Sequence, residues 1–293
     1  MADRFYYGGQ AVFEGVMMRG RKTMVTVVRR TDGTLVTDTR QLHRFYTGWL
    51  RKAPILRGII VLIEALVLGI QTLLFSAELS LEEEGEKISG GMVWLIMTVA
   101  VSLAVVLFFL APLFLTRLLH INDPLLFNLV DGLIRVAIFV AYLKLMGLVP
   151  DVKRVFAYHG AEHKSVNAYE AGVPLEVAAV KQHSTAHVRC GTSFLFVVMI
   201  ISIIIFALVG LPALWLMVLS RIVLVPLIAA LSYEFIYFSG RHAHNRFVRL
   251  ITAPGLWLQS MTTREPDDSQ LEVALSALSK VVEADQPAAQ AAS

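Results

Sequence analysis

The chain has 293 residues, 56% of them hydrophobic and only 17% charged, a balance too apolar for a soluble domain of this length and suited to a multi-pass membrane protein. The formal net charge of +3 hides an uneven distribution, because residues 1–57 carry eleven Lys/Arg against four Asp/Glu. Beside membrane spans such a basic segment marks a cytoplasmic face rather than a nucleic-acid surface, and the single cysteine, Cys190, excludes an intrachain disulfide.

Residues 1–54 read as a basic cytoplasmic β unit. Thr23 to Val28 and Thr34 to Thr37 are β-branched runs joined through Asp32-Gly33, a dipeptide that favours tight hairpins. Ahead of them, the stretch from Gly8 to Gly20 holds four glycines, which suits tight turns or close approach to another surface. Residues 55–90 comprise a long apolar helix and an acidic, solvated connection, Glu82 to Glu86. Arg57, Glu64, Gln71 and Glu78 recur every seven residues in that helix and form one polar stripe. Such a stripe suits either a crossing helix that turns it inward or an interfacial or re-entrant one. The positive-inside tendency groups the basic segments on one side only if this helix does not cross, and so favours the second.

Residues 91–149 hold two spans, the first within the uncharged run 88–116 and the second at 125–149 with Asp131 and Arg135 spaced to pair. Residues 192–239 hold two more, at 192–209 and 213–239, separated by Gly210-Leu211-Pro212. The last carries Arg221 and Glu234. At about 1.5 Å per residue, Asp131 and Arg221 fall roughly 10–12 Å inside the outer ends of their spans. An unpaired charge there costs at least ~2.5–3.5 kcal/mol, so the two are expected to pair, with Arg135 nearby. Residues 240–293 form a cytoplasmic C-terminal segment with a disordered Ala/Gln-rich tail from Glu283. The expected fold is therefore mainly α: a polytopic bundle of four spans plus one interfacial or re-entrant helix, with a small N-terminal β unit. Four crossings put both termini and residues 150–191 on the cytoplasmic side, as the positive-inside tendency favours.

The chemistry concentrates in 150–191. In a helix over 157–171, ended by Gly172 and Pro174, His159 and His163 stand one turn apart and Glu170 projects between them. Two imidazoles at this spacing with a carboxylate suit a divalent metal such as Zn²⁺. His159-x-x-Glu162-His163 also matches the inverted zinc-peptidase pattern, with Glu162 as general base and a distant glutamate, for which Glu234 is a candidate, as third ligand. His183 and His187 repeat the spacing and Cys190 follows, so four of the eight histidines and the only cysteine fall within 32 residues. Candidate ligands are thus His159, His163, Glu170, His183, His187, Cys190 and Glu234, more than one tetrahedral site needs. The competing reading is a polar loop whose histidines meet lipid headgroups, and it leads for His43, His120, His242 and His244.

Several blocks carry a family resemblance: Gly8 to Gly20, Tyr158-His159-Gly160-Ala161-Glu162-His163-Lys164, His187 to Phe194, Ala253 to Gln259, and Thr262 to Asp268. On these residues the chain resembles the bacterial YqhQ-type membrane family, a domain of unknown function often labelled a metal-dependent enzyme; Val188 stands where that pattern suggests proline. The resemblance implies a bacterial cytoplasmic (inner) membrane protein whose activity is unestablished. Two functions stay open. One is a zinc-type hydrolase at the cytoplasmic membrane face. The other is a non-enzymatic accessory or scaffold factor, with a structural metal or polar site, whose partners beyond the bilayer are membrane proteins such as the secretion machinery. No nucleic-acid partner is expected.

Overall fold

The structure, a computed structural model, describes residues 5–83, 89–242 and 245–290. Strands β1 (Gly8–Val12), β2 (Gly15–Arg19), β3 (Thr23–Arg29) and β4 (Leu35–Gln41) form an antiparallel meander in sequence order. The expected Asp32-Gly33 turn joins β3 to β4, with Gly33 at φ 85°. The glycine-rich stretch, expected as tight turns or close approach, is the β1–β2 hairpin, reversing at Phe13-Glu14 with Glu14 at φ 49°. Gly9 and Gly15 serve close approach, since a Cβ at either would overlap a neighbouring strand's carbonyl. Polar–apolar alternation is missing there because both faces of the sheet are covered. Val16, Met18, Val25 and Val27 enter one core, while Val12, Met17, Met24 and Val28 line the other.

Helix α1 (Leu56–Glu83) covers the second face, with Leu68 against Met17 and Met24, and Leu79 against Val12 and Val28. Polar ties run along the same line. Arg19 Nε donates to Glu64 at 2.9 Å, Arg51 also pairs with Glu64, and the Phe13 N–H reaches Ser76 Oγ at 3.2 Å. The seven-residue polar stripe therefore meets protein at Glu64, and at Arg57, which pairs with Glu234.

Apart from short turns of helix at Arg44–Thr47 and Val177–Val180, the helices that follow are α2 (Gly90–Leu118), α3 (Pro124–Met146), α4 (Pro150–Ala171), α5 (Gly191–Val209), α6 (Leu214–Val223), α7 (Val225–Arg241), α8 (Arg246–Gln259) and α9 (Asp268–Gln290). Within α2 a π-helical turn at Val106–Leu110 precedes Pro112, whose missing N–H breaks the regular ladder. Among the described residues, Leu56–Leu81, α2, α3 and α5 are long and apolar enough to cross a membrane. The last expected span is not one straight helix: α6 and α7 meet at 45°. The break at Leu224 lies just before Pro226, which cannot donate a backbone hydrogen bond. Asp131 is 1% exposed, 2.7 Å from Arg135 Nη2 and 3.5 Å from Arg221 Nη2, the expected pairing.

The first face of the sheet shares its core with α4 and α9. The tail expected to be disordered from Glu283 is helical to Gln290, a correction with a plain cause. Leu271, Ala274, Leu275, Leu278 and Val281 keep a helical period and are all buried against the sheet and α4, and beyond them Asp285 is buried and accepts the Arg21 N–H at 2.7 Å. Glu84 to Glu86 of the expected acidic connection, and His244, lie outside the described residues. Leu278 is fully buried in this core, so Leu278→Ala is expected to destabilise the protein by about 2–5 kcal/mol. Chemical unfolding in detergent measures it; a change below about 0.5 kcal/mol would mean α9 is not part of the fold's core.

Candidate metal centre

Helix α4 starts earlier than the expected 157, at Pro150, where proline suits the first turn and Asp151 faces the positive helix end. It ends at Gly172, left-handed at φ 72°, with the Val173 N–H returned to the Ala168 carbonyl at 3.2 Å. Between these ends it is buried from Ala157 to Ala168 apart from His159 and Asn167, which are half-buried. Gly160 is required by close approach: a Cβ there would overlap the carbonyl oxygen of Arg264. The Arg264 N–H in turn donates to the Phe156 carbonyl at 2.9 Å, so residues 262–264 run tightly along α4.

That contact orients the first histidine. His159 Nδ1 lies 2.8 Å from the Thr262 carbonyl, and His163 Nδ1 lies 2.6 Å from the Thr185 carbonyl. A carbonyl only accepts, so each Nδ1 carries a proton, and in the neutral ring the lone pair is then on Nε2. His159 Nε2 is 3.2 Å from Cys190 Sγ, and the donor atoms of His159, His163 and Cys190 all lie within 4.8 Å of one another. Cys190 caps the N-terminus of α5, its sulfur receiving the Thr192 N–H at 3.4 Å. Glu162 sits beside them, its Oε2 3.4 Å from His163 Nε2. Gly9 of β1 clears space there, since a Cβ at Gly9 would stand 3.2 Å from Glu162 Cγ.

The electrostatics match this convergence. Burial works against a charged His163, but the Glu162 carboxylate and the Cys190 sulfur outweigh it and raise the pKa to about 9. Burial opposes His159 too, and its hydrogen bond to Cys190 still raises it. Burial would push the Cys190 thiol up, yet the two histidines hold it well below the usual range. The sulfur and the two imidazoles thus hold one another's charge, and on losing their protons the same three groups are nitrogen and sulfur donors of the kind a metal takes. Two nitrogens, one thiolate and backbone acceptors fixing the imidazole tautomers fit Zn²⁺ in donor type and in outer-shell support.

The other candidates lie elsewhere. His187 is a neighbour, its ring 5.6 Å from His163, and its backbone is gripped by the Gln259 side chain in both directions, at 2.7 and 3.0 Å. Glu170 pairs with Arg189 and lies 3.7 Å from His187 Nε2. It shares the histidine face only in projection: seven residues beyond His163 is about 10 Å along the axis. His183 sits in the loop after a short helix, outside the converging donors. Glu234 is committed at the α1–α7 contact, accepting from Arg57 Nε at 2.7 Å and the Ile55 N–H at 3.0 Å. Sequence reasoning missed the carbonyls of Thr262 and Thr185 and the side chain of Gln259. Only Gly160 hinted at them, as a glycine inside a helix.

A family model described as "Protein of unknown function (DUF1385)" matches residues 53–284. The chain is 37% identical to "Uncharacterized protein YqhQ" of Bacillus subtilis (strain 168), over 94% of this chain and 92% of that protein. No solved structure matches. The chain belongs to the DUF1385 family, and the metal-dependent-enzyme label attached to the resemblance finds no support in these descriptions.

In the metal-free protein, Cys190 is expected to show ultraviolet thiolate absorbance at about pH 7 and to lose it only on further acidification, because its pKa is depressed. His159→Gln/His163→Gln should move that titration up toward about 8.5. An unchanged titration would mean the histidines do not act on the sulfur.

Proposed function

We propose that this DUF1385 protein is a bacterial cytoplasmic-membrane metalloprotein of the hydrolase type, with His159, His163 and Cys190 holding a Zn²⁺-like cation and Glu162 serving as general base. One observation carries the reading: both imidazoles are tied at Nδ1 to backbone carbonyls, and their Nε2 atoms turn toward one buried sulfur. A cation bound there would supply Lewis acidity and an activated water at neutral pH. Thr262 and Thr185 hold the ligand tautomers, and the Glu162 carboxylate stands where it can take a proton. Three protein donors leave a fourth position open, the pattern of catalytic rather than structural zinc.

The second reading is a structural centre in a non-enzymatic accessory factor acting on other membrane proteins, such as the secretion machinery. What favours it is burial, since His163 and Cys190 are only 2% and 6% exposed. In that case Glu162 or His187 closes the fourth position.

The topology proposed with this function follows from parity. The sheet, α4 and α9 share one hydrophobic core, so they lie on one side of the membrane. Between the sheet and α4 stand three apolar helices, and an even number must cross. Helix α1 is the one that does not, because its residues 64–79 are fastened to the sheet. Between α4 and α9, α5 and the bent α6–α7 pair each cross once. This gives four crossings, with the metal centre and the described termini in the cytoplasm.

Metal analysis of detergent-purified protein tests the centre, with about one zinc per chain expected in the wild type and none in His159→Ala/His163→Ala or Cys190→Ser. Wild-type protein without metal would end this reading. Cobalt substitution separates the two functions: Glu162→Gln should keep the metal and its coordination spectrum if Glu162 is a base, and alter both if it is a ligand. For the topology, Ser89→Cys in a Cys190→Ser background should react with an impermeant maleimide only after permeabilisation. Labelling in intact cells would mean that α1 crosses.

A further inference from the structure

A cavity of about 500 Å³ opens where α3 hands over to α4, lined by Gly147, Leu148, Lys153, Arg154, Arg264 and Glu265 among others. It lies on the far side of α4 from the metal centre, since Ala157 in its wall and His159 point about 160° apart at 100° per residue. The charges that line it do not balance. Arg154 is held by Glu14 through two bonds of 2.6 Å, and Glu265 is held by Lys164 at 2.7 Å. That leaves Lys153 and Arg264, both exposed, whose side chains have no acceptor among the described residues. Arg264 reaches over the end of α3: its Nη2 stands 3.6 Å from where a Gly147 Cβ would begin, within van der Waals contact.

Immediately beside these cations the surface becomes apolar. Leu145 and Leu148, in and just after the last turn of α3, are 61% and 67% exposed, and Val149 follows them. Two unpaired cations in a concave pocket, bordered by exposed leucines at the end of an apolar span, match an amphiphile with an anionic head and hydrocarbon tails. A free phosphate would use the cations and leave the leucines without a role. The cavity is also large enough for a headgroup.

We propose that this cavity binds the headgroup phosphate of an anionic glycerophospholipid, with Lys153 and Arg264 as its charge partners and Leu145 and Leu148 against its chains. The site is independent of the metal centre and stands whether or not that centre is catalytic.

The test uses the full chain in nanodiscs and in detergent. Native mass spectrometry should show a phosphatidylglycerol molecule retained in preference to phosphatidylcholine. Lys153→Gln/Arg264→Gln should weaken that retention by roughly 20–30-fold, the loss expected for two cations at a membrane surface. Lys153→Arg should keep most of the retention that Lys153→Gln loses, and Arg249→Gln on α8, which does not line the cavity, should change little. Circular dichroism and gel filtration confirm that each variant is folded. Equal retention of both lipids, or retention indifferent to the double substitution in a folded protein, overturns the proposal. So does binding of glycerol 3-phosphate or inorganic phosphate that lipid does not displace, since the occupant would then be a soluble phosphate.

Discussion

Helix α4 is buried along most of its length without being apolar, and the rest of the molecule is arranged around that conflict. An unpaired polar group in such a position costs about 1–3 kcal/mol, so partners must be brought in from distant parts of the chain. Glu14, in the β1–β2 turn, receives the Tyr158 hydroxyl at 3.3 Å and Arg154 at 2.6 Å. Lys164 reaches the Lys181 carbonyl at 2.6 Å, and Asn167 donates to the carbonyls of Ser184 and Ala186. Thr262 and Thr185 take the two histidines. The sheet, the 181–190 loop and the segment after α8 are thus all registered against one helix.

The same arrangement joins the body formed by the sheet, α4 and α9 to the apolar helices. Cys190 ends the loop that α4 holds and also caps α5, so the proposed metal position lies at a mechanical junction. Gln259, at the end of α8, clamps His187 in that loop from the other side. Deeper in the bundle, Asp131 lies between Arg135 and Arg221, and Arg135 also donates to Ser202 at 3.1 Å, which links α3, α5 and α6. Polar contacts buried in low dielectric fix geometry more sharply than apolar packing does. Here they tie α3 to α5 and to α6.

Geometry also sorted the surplus of candidate ligands. Glu170 passes a helical-wheel test and fails in three dimensions, because a wheel discards the rise along the axis. It stands with Arg189 and His187, where it neutralises a loop. Glu234 could have been a distant third ligand by motif alone, but Arg57 lies opposite it on α1 and takes its carboxylate. Cys190, with no motif of its own, lies against His159. Most of the features legible in the sequence are local ones: the Asp32-Gly33 hairpin, the helix end at Gly172 and the pairing of Asp131 with Arg135. The Asp131–Arg221 pair followed instead from the matching depth of two charges in apolar spans.

The sequence by itself determined the apolar helices, the basic face, the β3–β4 hairpin and the dense group of histidines around Cys190, because each depends on composition or on spacings of a few residues. It also contained the amphipathic period of α9, masked by the Ala/Gln-rich stretch that follows. Only the tertiary structure decided that the β1–β2 hairpin and α9 enclose α4, that α1 lies on the sheet, and which three donors converge. Those outcomes rest on contacts between residues tens to hundreds of positions apart, such as Thr262 with His159 and Arg19 with Glu64. No local period encodes such contacts. They follow from burying both faces of a sheet while pairing most of the polar groups on a buried helix, Ser165 Oγ excepted.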